Sequence, residues 1–222
     1  MLKPSKLFSE TDLTRIQQVV EEAESKTSGE IVPYVVEMSD TYEIAEWRAG
    51  MMCGVAALGV FVAVRQFTTA WLPFDFAQMA LVVMFVAAAG ALLTHFVPTL
   101  QRLFTGRHLI DLRAHQRAAQ AFVTEEVFAT KGRTGILIFL SLLERKVIVL
   151  GDSDINSKVR QSDWDSVVAL ITSAIAQGKP ADGLVAAIRE CGRLLEHHGV
   201  QRYRDDKDEL SDNLRMGDTQ RS

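Results

Sequence analysis

The sequence predicts an α/β domain that is interrupted by a hairpin of two apolar helices. Two observations carry this prediction. Helical spacing alternates with short β-branched runs in both flanks of the chain, and two long uncharged apolar runs lie between the flanks, Ala49 to Val64 and Ala77 to Val97. Neither flank has enough strands for a sheet of its own. We therefore expect the strand before the apolar runs to pair with the strands after them.

The two apolar runs have the composition of membrane-spanning helices. A bilayer core is crossed by roughly 20 apolar helical residues, with about 17 to 25 the usual range. The second run meets this length, and the first is extended by Trp47, Arg48 and Arg65, whose side chains suit the headgroup layer. The alternative is a pair of buried core helices, but such helices normally keep a polar stripe, which both runs lack.

The arginines predict the orientation of the hairpin. Only Gln66 to Phe76 joins the two runs, so both outer ends lie on one side of the membrane, and basic residues near spans favour the cytoplasm. Arg65 alone borders the connection. The other side carries five arginines: Arg48, Arg102, Arg107, Arg113 and Arg117. The sequence thus predicts an integral membrane protein with two spans and both termini in the cytoplasm.

Composition excludes several classes of protein. The net charge of -4 argues against nucleic-acid binding, because no basic face dominates the chain. The first residues contain no apolar stretch of signal-peptide length. The two cysteines, Cys53 and Cys191, lie in a membrane run and in a cytosolic helix. This placement predicts no disulfide, and no Cys/His cluster indicates zinc.

The segment before the hairpin is predicted to form one helix and one strand. Ser9 is a helix N-cap with Asp12 three residues later, and apolar residues then recur at helical spacing. Glu30 to Glu37, EIVPYVVE, is rich in β-branched residues and predicts a strand. Pro33 has no N–H, so this strand lies at a sheet edge or is paired on one side at that residue.

The segment after the hairpin is predicted to contain three helices and two strands. A helix over about 108–130 ends at Lys131, Gly132 and Arg133. The strands 134–143 and 146–150 follow, joined by a turn at Glu144 and Arg145. The next helix buries Trp164, and the last covers about 181–197. The domain is therefore expected over 5–42 and 107–198, the hairpin over 46–98, and a charged, disordered tail over 199–222.

These segments, in this order, resemble the TPM-domain family, also called TPM phosphatase domains. The resemblance rests on SGEIVPYVVE (28–37), AHQRAAQAFVTEEV (114–127), TKGRTGILIFLSLLERKVIVLGD (130–152), Trp164 and the acidic DELSDNL (208–214). It implies an α/β fold in which a small mixed sheet is sandwiched by helices. The inserted hairpin is the departure, and it is typical of a bacterial membrane-protein branch, which implies the bacterial inner membrane as the location.

The resemblance leaves two functions open. One is a membrane-anchored interaction or assembly module, whose partners are the lipid bilayer and other membrane proteins. The alternative is a weak metal-assisted acid phosphatase. Phosphate-ester hydrolysis of that kind uses clustered carboxylates around a metal or a nucleophile with electrostatic clamps. The sequence has no phosphate-binding glycine loop and no cysteine nucleophile motif.

Asp152 and Asp154 are the candidate metal ligands, with Glu144 in the preceding turn and Glu30 as a further neighbour. They follow a strand, and loops at strand ends are common ligand sites in α/β sheets. Carboxylate oxygens are the ligands of Ca²⁺ and Mg²⁺, so either ion is the expected cofactor if the domain binds one. The alternative is a solvated turn in which the aspartates make local hydrogen bonds.

Lys131 and Arg133 form a candidate anion site. A basic loop just before a strand suits a phosphate or an anionic headgroup. The alternatives are a helix C-terminus, where Lys131 is favourable to the helix dipole, and an ion pair between Arg133 and Glu30. His95 lies near the end of the second apolar run, from which its ring reaches the membrane interface.

Overall fold

The computed structural model describes residues 4–67, 75–200 and 210–217. The chain divides into two compact units, one formed by Met1–Asp40 together with Asp111–Ser222 and the other by Thr41–Ile110. We call them the α/β unit and the helical unit. Their elements, in chain order, are α1 (Pro4–Leu7), α2 (Glu10–Glu24), β1 (Ile31–Val36), α3 (Glu43–Phe67), α4 (Phe76–Phe96), α5 (Pro98–Thr105), α6 (Arg107–Thr124), β2 (Ile136–Ser141), β3 (Lys146–Gly151), α7 (Ser153–Lys158), α8 (Gln161–Ala176), α9 (Pro180–His197) and β4 (Arg215–Gly217).

The sheet of the α/β unit is mixed, with the strand order β3-β2-β1-β4. Strand β1 runs parallel to both β2 and β4, and β2 runs antiparallel to β3. Ile31 lies opposite Ile136, although the whole helical unit separates them in sequence. The prediction that the first strand pairs with the strands after the hairpin is therefore confirmed.

Pro33 lies in an interior strand and not at a sheet edge. Strand β4 pairs only with Tyr34, Val35 and Val36, so Pro33 has a neighbouring strand on the β2 side alone. Successive residues of a strand turn their N–H groups to opposite sides. Ile31 N donates to Glu24 on the side away from β2, so the missing N–H of Pro33 faces that same side. Of the two arrangements predicted for this proline, the one-sided pairing is correct.

Helices cover both faces of the sheet, as the sandwich prediction requires. On one face Ile31, Val35 and Ile138 pack into a core with residues of α2, α8 and α9. On the other face Val32 and Phe139 pack against residues of α6. Trp164 on α8 is only 4% exposed and belongs to the first core, which confirms its predicted burial.

The C-terminal segment corrects the prediction of a disordered tail over 199–222. Residues 215–217 form β4 and extend the sheet. Leu214 packs against the first core, and Leu210 against the second. Arg215 Nε lies 2.8 Å from Glu125 Oε2. This strand is not predictable from the sequence pattern, because it has only three residues and charged neighbours. The rest of the predicted tail, at 201–209 and 218–222, lies outside the described residues.

The helical unit consists of α3, α4 and the short α5. Helices α3 and α4 have 25 and 21 residues, which correspond to lengths of about 38 and 32 Å. They pack through small side chains: a Cβ at Gly50 would lie 3.0 Å from Ala87 O, and one at Gly90 would lie 2.6 Å from Cys53 Sγ. Most of the connection between them, residues 68–74, is outside the described residues.

The apolar side chains of this unit point away from its own interior. Both α3 and α4 are long and apolar enough to span a membrane, with mean hydropathies of 1.7 and 2.2. The 18-residue apolar stretch of α4 contains no buried residue, and that of α3 is 17% buried. Two core helices of this chain would bury these residues, which the described structure leaves exposed.

Candidate functional site

Three loops of the α/β unit meet at one edge of the sheet, where the parallel strands β1 and β2 begin and the antiparallel β3 ends. Thr134 Oγ1 donates a hydrogen bond of 3.0 Å to Ser28 O, which joins the loops that precede β2 and β1. Asp152 N donates to Gly135 O over 2.8 Å, which brings the end of β3 to the same place. We call this the amino edge of the sheet.

Asp152 lies at the amino edge as a buried helix cap. Its side chain is the N-cap of α7, and Oδ1 accepts a hydrogen bond of 2.6 Å from Ser153 N. Its Oδ2 lies 3.3 Å from Arg133 Nε. The residue is only 6% exposed. The sequence predicted Asp152 in a loop at the end of a strand, whereas the residues after Gly151 continue directly into a helix that Asp152 caps.

Asp154 belongs to the first turn of that helix. Its Oδ2 lies 2.7 Å from Lys158 Nζ, one helical turn further on. The pair is about half exposed, so it is a surface ion pair of modest energy. Asp152 and Asp154 thus each have a cationic partner of their own.

Glu144 lies at the opposite edge of the sheet. Its carboxylate accepts hydrogen bonds from Ser39 N, over 2.7 Å, and from Ser141 Oγ, and the residue is 2% exposed. The six residues of β3 separate it from Asp152, a distance of roughly 20 Å. The predicted cluster of Asp152, Asp154 and Glu144 is therefore not brought together.

These residues do not fit a Ca²⁺ or Mg²⁺ site. Hard cations require several converging oxygen ligands, whereas Glu144 is remote and Asp152 faces an arginine. Within the ranges 4–67, 75–200 and 210–217, no group of three His, Cys, Asp or Glu side chains is placed to hold a metal ion.

The basic loop before β2 is folded by its own hydrogen bonds. Thr134 N donates to Thr130 Oγ1 over 3.2 Å, and Arg133 adopts a left-handed backbone with φ of 54°. The Arg133 guanidinium donates to Phe128 O over 3.3 Å and pairs with Asp152. Lys131 in the same loop is exposed. The charge of Arg133 is thus partly neutralised inside the unit, and anion binding by Lys131 and Arg133 remains a prediction.

Glu24 is a feature of this edge that the sequence analysis missed. It is the last residue of α2 and is 5% exposed, and its Oε1 accepts a hydrogen bond of 2.7 Å from Ile31 N at the start of β1. Burial, together with the neighbouring carboxyls of Glu30 and Asp212, raises the pKa of Glu24 to about 9. At neutral pH this carboxyl is therefore protonated, with the carboxyl of Asp212 as one of its neighbours.

The sequence contained a signal for Glu24. Ile16, Val20 and Glu24 follow one another at intervals of four, which places the carboxyl on the buried stripe of α2. A carboxyl on such a buried stripe is expected either to have a hydrogen-bonding or cationic partner or to be protonated. Its neighbour Asp212 was harder to find, because it belongs to the segment that was assigned to a tail.

The other candidate residues have local partners. His95 Nδ1 lies 2.8 Å from Glu46 Oε1 within the helical unit. This pair lies at one end of an apolar groove of about 960 Å³ between α3 and α4, whose lining includes Trp47, Leu58 and Leu92. Cys53 and Cys191 are both free thiols, as expected.

Comparison with known proteins finds one family and one similar fold. A family model described as the TPM domain matches residues 94–194. No curated protein matches the chain. Among solved structures, the fold is similar to that of the BA42 protein from the psychrophilic bacterium Bizionia argentinensis, with a TM-score of 0.58 and 19% sequence identity over 98% of this chain and 100% of that one. At this identity the likeness shows the fold alone. The chain therefore contains a TPM domain, as its sequence indicated.

Proposed function

We propose that this protein is an integral membrane protein with two spans, in which the TPM domain acts as an interaction or assembly module for other membrane proteins. The observation that carries the proposal is the outward apolar surface of α3 and α4. The proposed location is the bacterial inner membrane, and the arginine distribution supports cytoplasmic termini.

The exposed apolar side chains of α3 and α4 favour a lipid environment for this surface. Leu81, Phe85 and Val55 are 65%, 75% and 65% exposed. Burying an apolar side chain of this size is worth about 1.5–3 kcal/mol, and the two helices carry many such side chains. A surface of this extent on a soluble chain is normally covered by a partner or a membrane. The helix lengths of about 38 and 32 Å suit a hydrocarbon core of about 30 Å.

The described polar groups support a binding role for the domain better than catalysis. Asp152, Asp154 and Glu144 each serve a local structural contact, as a helix cap, a surface ion pair and a loop anchor. The metal-assisted phosphatase alternative requires these carboxylates to converge on one ion, and they do not. A scaffold that presents loops and charged edges to another protein makes no such demand.

Membrane anchoring is tested by extraction and by topology reporters. Alkaline carbonate washing is expected to leave the full chain in the membrane pellet. A reporter fused after residue 222 is expected to report the cytoplasm, and one inserted between residues 68 and 74 the opposite side. Release by carbonate would refute the two spans, whereas reversed reporters would refute only the orientation.

Turnover is tested with the purified full chain and a generic phosphomonoester. We expect no hydrolysis above buffer with Ca²⁺ or Mg²⁺ between acidic and neutral pH. Asp154→Asn is the matched variant for Asp152→Asn, since both remove one carboxylate from the same short helix. Hydrolysis that Asp152→Asn abolishes and Asp154→Asn leaves intact would overturn the module proposal in favour of the phosphatase.

A further inference from the structure

The geometry of the helical unit points to a third membrane contact: we propose that α5 is an interfacial helix that lies against anionic phospholipids, with Leu103 below the phosphates and Arg107 level with them. This inference rests on the proposed membrane anchoring. It assigns a lipid-binding surface to a segment outside both predicted spans.

The two most buried side chains of α5 are polar, and its most exposed apolar side chain is a leucine. Gln101 and Thr105, one helical turn apart, are 3% and 2% exposed. Leu103, on the opposite side, is 70% exposed. A surface helix in water normally turns its apolar stripe inward and its polar residues outward. The most buried side chains of α5 are polar instead, and its outward face carries Leu103 together with Thr99 one turn earlier. A leucine beside a small polar residue suits the boundary between the acyl chains and the headgroups.

Polar contacts fix this orientation. Arg48 Nη1 donates to Phe104 O over 3.1 Å and to Thr105 O over 2.9 Å. These bonds satisfy carbonyls at the C-terminus of α5 and place a cation at the negative end of its dipole. Gln101 Nε2 donates to His95 O over 3.1 Å, which ties α5 to the end of α4. Leu103 is therefore directed outward by the packing of the helix and not by a free side-chain rotation.

The position of α5 in the chain places it at headgroup depth. Helix α4 ends at Phe96, and α5 begins at Pro98 after one extended residue, Val97. Because α4 is about 32 Å long and the hydrocarbon core is about 30 Å thick, a helix that starts directly after it starts at the interface. Phe96 and Trp47 of the same unit are 71% and 78% exposed, and aromatic side chains are enriched at that depth.

Charge selects anionic lipid as the occupant of this surface. Arg107 is separated from the end of α5 by Gly106 alone, begins α6 and is exposed. An arginine near the surface of an acidic leaflet is attracted to lipid phosphates, with which its guanidinium forms charge-assisted hydrogen bonds. Together, an outward leucine and an adjacent exposed arginine match the apolar and polar layers of an interface.

Nitroxide labels on the full chain test the depth of α5. In a background carrying Cys53→Ala and Cys191→Ala, single labels are placed at Leu103→Cys, at Leu81→Cys on α4 and at Val123→Cys on α6. Val123 is the matched control, because it is 61% exposed and apolar but lies in the α/β unit. Collision rates with oxygen, which enriches in bilayers, and with a water-soluble nickel chelate are measured in phosphatidylcholine vesicles containing phosphatidylglycerol.

We expect the label at 103 to collide severalfold less often with nickel, and more often with oxygen, than the label at 123. If 103 resembles 123 while 81 is bilayer-embedded, anchoring stands and the interfacial proposal fails. Protection of 103 from both reagents would indicate cover by a protein, including a second copy, and would also overturn it. If 81 itself collides freely with nickel, the anchoring proposal fails.

The charge contribution is tested with Arg107→Glu in the Leu103→Cys background. With phosphatidylglycerol present, this variant is expected to raise the nickel collision rate at 103 severalfold. Arg160→Glu is the control, because Arg160 is an 82%-exposed arginine of the α/β unit and is expected to leave the rate unchanged. Equal rates for wild type and Arg107→Glu, in the presence of the anionic lipid, would refute the assignment of anionic headgroups.

Discussion

Helices α9 and α4 have similar lengths and opposite relations to their surroundings. Ten of the 18 residues of α9 are buried, whereas Thr94 alone is buried among the 21 of α4. In α9 the apolar side chains form one stripe, with Arg189, Glu190 and Arg193 outside it. Helix α4 is apolar all around. The sheet, α2 and α8 form the apolar environment of α9, whereas α4 packs on α3 and keeps large apolar side chains such as Leu81 and Phe85 exposed.

Local helix signals do not cause this difference. Helix α4 begins with a full capping box, in which Asp75 accepts from Gln78 N and the Gln78 side chain accepts from Asp75 N. Helix α9 begins with Pro180 in its first turn, also a common helix start. Both segments are equally well specified as helices. The two helices differ in whether their apolar side chains are buried in the folded chain. Truncating single side chains measures how much each one contributes to the free energy of unfolding.

The largest effect is expected from truncating a leucine in each helix. Leu184→Ala on α9 removes a fully buried side chain, which costs about 2–5 kcal/mol of unfolding free energy. Leu81→Ala on α4, where the leucine is 65% exposed, is expected to change it by less than about 0.5 kcal/mol. The measurement is denaturant unfolding in detergent, followed by Trp164 fluorescence with Trp47 and Trp71 replaced by phenylalanine. Equal losses would show that α4 is part of the same core.

A second contrast uses two glycines. A Cβ at Gly135, in the α/β unit, would lie 2.1 Å from Val127 O, whereas one at Gly59 on α3 would have no atom within 4 Å. Gly135→Ala is therefore expected to cost about 1–3 kcal/mol or more. Gly59→Ala is expected to be neutral or stabilising, because alanine favours helix by about 1 kcal/mol. Both free energies of unfolding are measured with the same denaturant assay. An unchanged stability of Gly135→Ala would show that the loop before β2 shifts at little energetic cost.

The same contrast explains how much of the fold was predictable. Periodicity predicted α2, α8 and α9 because each has one buried stripe, and β-branched runs predicted β1 to β3. The apolar runs predicted α3 and α4 by composition alone. Strand β4 was missed, since its three residues pair with β1 through backbone bonds that need no sequence pattern. Its side chains, Arg215 and Met216, carry no β signal.

The candidate site was less predictable, because it depends on which loops meet. Asp152 and Glu144 are eight residues apart in sequence and lie at opposite edges of the sheet, since β3 runs its full length between them. Glu24 and Asp212 are far apart in sequence and are neighbours in the fold. Proximity in sequence suggested that Asp152 and Glu144 form a cluster. The proximity of Glu24 and Asp212 is visible only once the pairing of β1 with β2 and β4 is known.

The α/β unit also has a titratable core, which gives a pH test. The folded state holds the Glu24 proton up to about pH 9, while the unfolded chain releases it near the ordinary value of 4.5. The stabilisation is thus complete below about pH 4.5 and is lost as the pH rises toward 9, at up to about 1.4 kcal/mol per pH unit. Glu24→Gln is expected to remove this slope, because the amide does not titrate and its oxygen can still accept the hydrogen bond from Ile31 N.

The control for this titration is Glu22→Gln, two residues earlier and therefore on the opposite face of the same helix. The Glu22 carboxyl is 59% exposed and lies 3.8 Å from Lys26 Nζ, so its loss is expected to leave the pH slope of wild type in place. Urea unfolding across the neutral range provides the slopes. Parallel stability curves for wild type and Glu24→Gln would show that Glu24 is ionised in the folded protein.

The smallest effect is expected from the ion pairs on the outer surfaces of the helices. Arg15 on α2 and Asp182 on α9 are 2.5 Å apart and about half exposed, so a double-mutant cycle with alanine should give a coupling of about 0.2–1 kcal/mol. High salt should abolish it, since the screening length falls from about 10 Å at 0.1 M to about 3 Å at 1 M. Among the described residues, the ion pair that involves α4 is His95 with Glu46, at the end of the helix. Water solvates the exposed ion pairs along α2 and α9. Lipid cannot solvate charged groups in this way, and the middle of α4, which lies wholly within the described residues, contains no ion pair. A coupling above about 1 kcal/mol that resists salt would mean that the ion pair of Arg15 and Asp182 is shielded from water. The outer surfaces of α2 and α4 would then differ less in their exposure to water than their sequences indicate.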